Sequence, residues 1–116
     1  MYICMLVLDD PGKLDALLDA WHSGGIYGAT IVASTGLHRR RAMVAAARAT
    51  AGLPRVVERV EEGHFTLFVV VDDEAMARTC LAVAETVTGD LDLPDTGMFV
   101  AWPLAVTKGA GPPVEA

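Results

Sequence analysis

The run His38-Arg39-Arg40-Arg41 is the densest group of chemically able side chains in the sequence. Each guanidinium keeps its charge at any physiological pH and offers a planar fork of donors that grips phosphate or carboxylate. The Ala content of Ala42 to Ala51 favours a helix there, which would crowd these cations at its N-terminus. The helix dipole disfavours positive charge at that end by roughly 0.3–1 kcal/mol each, so a bound anion would compensate. The competing reading is a solvated basic turn paired with Glu58, Glu61 and Glu62.

Other groups carry less chemistry. Asp90, Asp92 and Asp95 alternate faintly like a Ca²⁺ loop but lack the turn Gly and terminal Glu of an EF-hand, so a solvated loop is expected. His22 and His64 have no Cys or carboxylate at ligand spacing, and both read as structural. Ser23 and Ser34 sit in no nucleophile elbow, and neither a Walker loop nor an HExxH motif occurs. Cys4 and Cys80 lie far apart, each in an apolar run, and read as buried small hydrophobes of a reducing compartment. No catalytic residue and no metal ligand is assigned.

The elements that must hold these groups follow from hydrophobic pattern. Tyr2 to Leu8 is a continuous β-prone apolar run, read as a buried central strand. Asp9 or Asp10 then caps a helix with Pro11 in its first turn. Its apolar stripe is Leu14, Leu17, Leu18 and Trp21, and Gly24-Gly25 ends it. Ala29 to Thr35 is a second strand and His64 to Val71 a third. Asp72-Asp73 opens a second helix with Met76, Cys80, Val83, Ala84 and Val87 on one stripe, closed by Thr88-Gly89. Met98 to Trp102 is the last strand, and Leu104 to Thr107 could extend or swap an edge.

Met5-Leu6-Val7-Leu8-Asp9-Asp10 and Phe68-Val69-Val70-Val71-Asp72-Asp73 are one design used twice, an apolar strand running into a paired-Asp cap. Two strand-helix-strand halves in a chain of 116 residues predict an α+β, ferredoxin-like βαββαβ sandwich, an antiparallel sheet with two helices on one face. One domain over residues 1–108 is expected, with a long protruding loop at about 37–63 and a flexible Gly/Pro-rich tail at 109–116.

Order and spacing along most of the chain resemble the nitrogen regulatory PII signalling family. The resemblance is carried by Lys13-Leu14-Asp15, by Gly28-Ala29-Thr30-Ile31-Val32 through Gly36, by the long loop between the second and third strands, and by Thr88-Gly89 before Met98-Phe99-Val100. It implies a bacterial cytoplasmic regulator of nitrogen metabolism that forms a homotrimer. It also implies an adenine nucleotide (ATP, ADP or AMP) in the intersubunit clefts and a long loop that docks on a partner protein. By motif position Thr30, Gly36 and Arg39, with Arg40 and Arg41 beside it, would line the ligand cleft, and Gly89 would open the loop around the phosphates. Met43, Val44, Arg48 and Arg55 would belong to the partner-binding loop. The sequence departs from that pattern at Asp90 to Gly97, which is longer and more acidic than the family's compact Lys-bearing turn. No Tyr occurs in the long loop to accept uridylylation.

Charge sets further bounds. The formal net charge is −6, which argues against nucleic acid as a partner, because phosphate neutralisation needs a basic face. No acidic residue occurs between Asp19 and Glu58, so the middle of the chain is a basic island in an acidic protein. The short apolar start, closed by two acids with no basic residue before it, predicts no export. Membrane contact is expected only indirectly, through a partner. An Ala- and Val-rich composition with few aromatics leaves apolar surface for an oligomer to bury. The alternative reading is a small ferredoxin-like enzyme, of oxygenase or isomerase type, with an apolar pocket. That reading needs polar groups converging in the pocket, for which His64 and Tyr2 are the strand-borne candidates. A trimer resembling the CutA family shares the architecture, without support from the His and Cys placement.

Overall fold

The computed structural model describes residues 1–37, 41, 44–45 and 63–110. Its elements are β1 (Tyr2–Leu8), a 3₁₀ turn (Pro11–Lys13), α1 (Leu14–Ser23), β2 (Thr30–Ser34), β3 (His64–Val71), α2 (Glu74–Thr88) and β4 (Gly97–Pro103). The strands form one antiparallel sheet in the order β2-β3-β1-β4. Each βαβ half is therefore split by a strand of the other half, the arrangement of a ferredoxin-like sandwich.

Both halves start their helices with the second of two aspartates. Asp10 accepts from the Gly12 amide at 2.9 Å and Asp73 from the Met76 amide at 2.8 Å, each satisfying a donor that the helix start would leave unpaired. In the first half the chain makes the Pro11–Lys13 3₁₀ turn before α1 begins, because Pro11 has no amide to donate. Gly24 caps α1 and Gly25 takes the positive φ of +90° that turns the chain away.

The core lies between the helices and one sheet face. Cys4, Leu6 and Leu8 of β1 and Leu67, Val69 and Val71 of β3 are buried there with Leu17 and Trp21 of α1 and Ala77, Cys80 and Ala84 of α2. The small residues of α2 let it approach the sheet, while α1 fills the remaining depth with Leu17 and Trp21. The Trp21 indole also donates to the Cys80 carbonyl at 3.1 Å, tying the helices together.

β1 corrects one expectation. It is central, as expected, but only alternate residues are buried. Ile3, Met5 and Val7 point to the face away from the helices, in register with Val70, Phe68 and Thr66 on β3 and with Trp102, Val100 and Met98 on β4. Leu104 to Thr107 adds no strand. It closes β4 onto the chain start through Leu104 N–H to the Met1 carbonyl at 2.9 Å. Among the described residues no helix is long and apolar enough to cross a membrane.

Candidate functional site

A cleft of about 670 Å³ opens where β2 ends and β3 begins, lined by Pro11, Gly12, Ala33, Ser34, Thr35, Gly63, His64 and Phe65. The pairing of Ser34 with His64 and of Val32 with Thr66 puts three polar side chains on one patch of the sheet. Ser34 Oγ lies 2.7 Å from His64 Nδ1, 2.8 Å from Thr66 Oγ1 and 3.2 Å from the His64 carbonyl. His64 Nδ1 is thus consumed. Its Nε2 lies 3.5 Å from where a Cβ on Gly36 would stand, an ordinary contact distance. No carboxylate lines the cleft among the described residues. Asp10, which precedes Pro11 in the chain, accepts from the Gly12 amide.

The positions implied for a ligand cleft are distributed over the sheet. Gly36 follows the end of β2, and Gly89 ends α2 with a φ of +78° before the chain turns toward β4. Both lie at the sheet end where Leu8 pairs with Phe65 and Gly97. However, β2 and β4 are opposite edges, three strand spacings or about 14 Å apart. Thr30 opens β2 opposite Phe68, about 13 Å along the strand from Ser34. Thr30 and Gly36 thus lie at opposite ends of β2, and Gly89 follows α2 in the helix layer. Arg41 and Val44 are helical and exposed, as are Leu37 and Ala45. Arg39, Arg40, Met43, Arg48 and Arg55, most of the expected 42–51 helix and the tail from 111 lie outside the described residues.

The acidic 90–97 loop holds itself by turn bonds. Asp90 Oδ1 accepts from the Asp92 amide at 2.9 Å, the Leu93 amide donates to the Asp90 carbonyl, and Glu85 accepts from the Leu91 amide at 3.0 Å. Asp90, Asp92 and Asp95 are exposed, and the described residues contain no cluster fit to hold a metal ion. Cys4 and Cys80 are buried free thiols that share a hydrogen bond, and burial raises the pKa of both above the ordinary thiol value. Low reactivity follows, because the thiolate is the nucleophile. His22 stacks edge-on against exposed Tyr27 with centroids 5.2 Å apart, away from the cleft.

The two strand-borne candidates of the enzyme reading, Tyr2 and His64, do not meet. Tyr2 pairs with Val71 and packs on the core, whereas His64 is at the opposite end of β3 and on the opposite face. His64 converges instead with Ser34 and Thr66, a grouping missed from sequence. Its only signal there was period-two alternation in two segments whose mutual register the sequence left open. No family model matches the chain, and no curated protein matches it.

Proposed function

We propose that this chain is a PII-like sensor that assembles as a homotrimer, binds a small anionic ligand in clefts between copies and engages a partner protein through the 37–63 arm. The observation that carries this reading is the ferredoxin-like strand order with an apolar sheet face turned away from the helices, on which Ile3, Met5, Val70, Met98 and Trp102 lie. Gly36 follows β2 at the end of the sheet where Leu8 pairs with Phe65. The arm leaves and rejoins the sheet at that same end, through Leu37 and Gly63, which lets cleft occupancy bias the arm. The apolar sheet face away from the helices gives association a driving force.

Adenine nucleotides are the first candidates for the ligand. The acidic 90–97 loop would repel a polyphosphate directly, so Mg²⁺ is expected to bridge the two. The test is a thermal-shift series with ATP, ADP and AMP, each with and without Mg²⁺. A ligand at about 100 times its dissociation constant adds roughly 2.7 kcal/mol of stability, a rise of several degrees for a domain of this size. A rise selective for one nucleotide, lost in the Arg39→Ala, Arg40→Ala, Arg41→Ala triple variant, is the expected result. No rise with any of them would overturn the nucleotide assignment.

A further inference from the structure

We infer that the free edge of β2 is a docking site for an extended acidic segment of a partner protein, which adds to the sheet as a further strand and seats one bulky apolar side chain in the cleft beside Ala33. This goes beyond the sensor reading, since it needs neither a trimer nor a nucleotide, and it seats the partner on a strand rather than on the arm.

β2 has little packed against it. Among the described residues its hydrogen-bonded neighbour is β3 alone, so the backbone groups of Thr30–Ser34 that point away from β3 meet no strand. Thr30 to Ala33 are all exposed. Ile31 faces the helix layer with Leu67, and Val32 faces the other side with Thr66. They are 41% and 45% exposed, so neither face of the strand is covered. An apolar edge is ordinarily blunted by a lysine, a proline or a bulge, because it templates pairing with another chain. Thr30-Ile31-Val32-Ala33-Ser34 has none of these. The opposite edge differs, for β4 follows the acidic 90–97 loop and ends at Pro103, which has no amide to donate.

The cleft and the local charge select the partner's chemistry. Ala33 pairs with Phe65, whose side chain packs on the core, so Ala33 stands on the helix side of the sheet with Pro11 and Phe65 in the cleft lining. A strand laid along β2 sets one of its own residues beside Ala33 on that side, and the small methyl leaves room for a bulky apolar side chain. No acidic residue occurs between Asp19 and Glu58, and Arg39, Arg40 and Arg41 follow β2 in the sequence. Arg41 is exposed, and Asp10, before Pro11, is taken up by the Gly12 amide. In antiparallel pairing the incoming strand starts beside the end of β2, so acids at its start meet the guanidiniums. A second copy paired through its own β2 brings no acid there, since its flanks are the same acid-free sequence.

The experiment titrates the full ¹⁵N-labelled chain with the capped peptide Glu-Glu-Thr-Phe-Thr-Val-Thr, whose Phe falls beside Ala33 when its Glu pair falls beside Thr35 and Gly36. Three counterparts carry Lys for both Glu, Ala for Phe, or N-methylation throughout the Thr-Phe-Thr-Val run. The parent peptide should shift the Thr30 to Ser34 amides saturably and slow hydrogen exchange at the alternate β2 amides that point away from β3. The Lys peptide should bind at least about fivefold more weakly, a gap that closes as salt rises. The Ala peptide should also bind more weakly, and the N-methylated one should not bind. Ala33→Phe, which fills the same room from the protein side, should cancel the advantage of the Phe peptide over the Ala peptide. No shift of the β2 amides at millimolar peptide, equal binding of the N-methylated peptide, or equal binding of the Lys peptide at low salt would each overturn the assignment. So would slowed exchange of the same amides on concentrating the chain alone, which would give the edge to a second copy. A nucleotide-binding trimer whose β2 ignores the peptide defeats the edge site alone. A peptide-binding chain that is monomeric and silent to nucleotides defeats the sensor reading alone.

Discussion

At the scale of single residues, the buried thiol pair makes a prediction with a definite sign. Cys4 and Cys80 keep their protons in the folded chain at pH values where an unfolded thiol, with an ordinary pKa of 9.0, has lost its own. Above that pH the unfolded state binds fewer protons than the folded one, so stability falls as pH rises. Urea unfolding should therefore show this contribution in full up to about pH 9. It should decline above that by up to about 1.4 kcal/mol per pH unit for each thiol that stays protonated. Cys80→Ala should remove one thiol's share of the slope while lowering the whole curve, and an identical slope in the variant would defeat the assignment. Both thiols should resist a disulfide reagent in the native chain and react once it is unfolded. Burial of these cysteines was legible in the apolar runs around them. The bond between Ser34 and His64 was not, because its partners lie thirty positions apart and only strand register joins them.

Among the elements, β4 is the most tightly constrained by backbone geometry. Gly97 begins it at a φ of +129°, and a Cβ there would strike the Val7 carbonyl of β1. Gly97→Ala should cost at least about 2 kcal/mol, since it combines a disfavoured φ with a backbone collision. Gly28, which has nothing within 4 Å of its Cβ position, should tolerate Ala within about 0.5 kcal/mol. Equal urea midpoints for the two variants would refute this. The repeated cap gives a second comparison. Asp73 opens the α-helix α2 and Asp10 only a short 3₁₀ turn, so Asp73→Ala should cost about 1 kcal/mol and Asp10→Ala less. The existence of every described strand and of both helices could be read from apolar periodicity and paired aspartates. The alternate burial of β1 could not, because its outward residues Ile3, Met5 and Val7 are as apolar as its inward ones. A residue's type shows its hydrophobicity and not which face it occupies.

That same ambiguity becomes informative for the molecule as a whole. The sheet face away from the helices carries Ile3, Met5 and Val7 from β1, Phe68 and Val70 from β3, and Met98, Val100 and Trp102 from β4. Val70, Met98 and Trp102 are 39%, 48% and 42% exposed in the single chain, in a protein whose net charge is −6. A solvated antiparallel face is ordinarily polar, with apolar residues confined to the core side. On the homotrimer reading, this apolar part of the face is what the copies bury against one another. The homotrimer reading predicts a solution mass of three times the 12.3 kDa chain by light scattering. It also predicts that Val70→Glu with Met98→Glu yields a folded monomer, because charges on a face buried between copies would be left unpaired. In a chain that is monomeric from the start, the same two substitutions fall on surface, change stability by about 0.5 kcal/mol or less each, and leave the mass unaltered. A wild-type mass of one chain would remove the clefts between copies on which the sensor reading rests. A trimer that the glutamates dissolve would locate its interface on the sheet face away from the helices, with the roots of the arm at one end of that face.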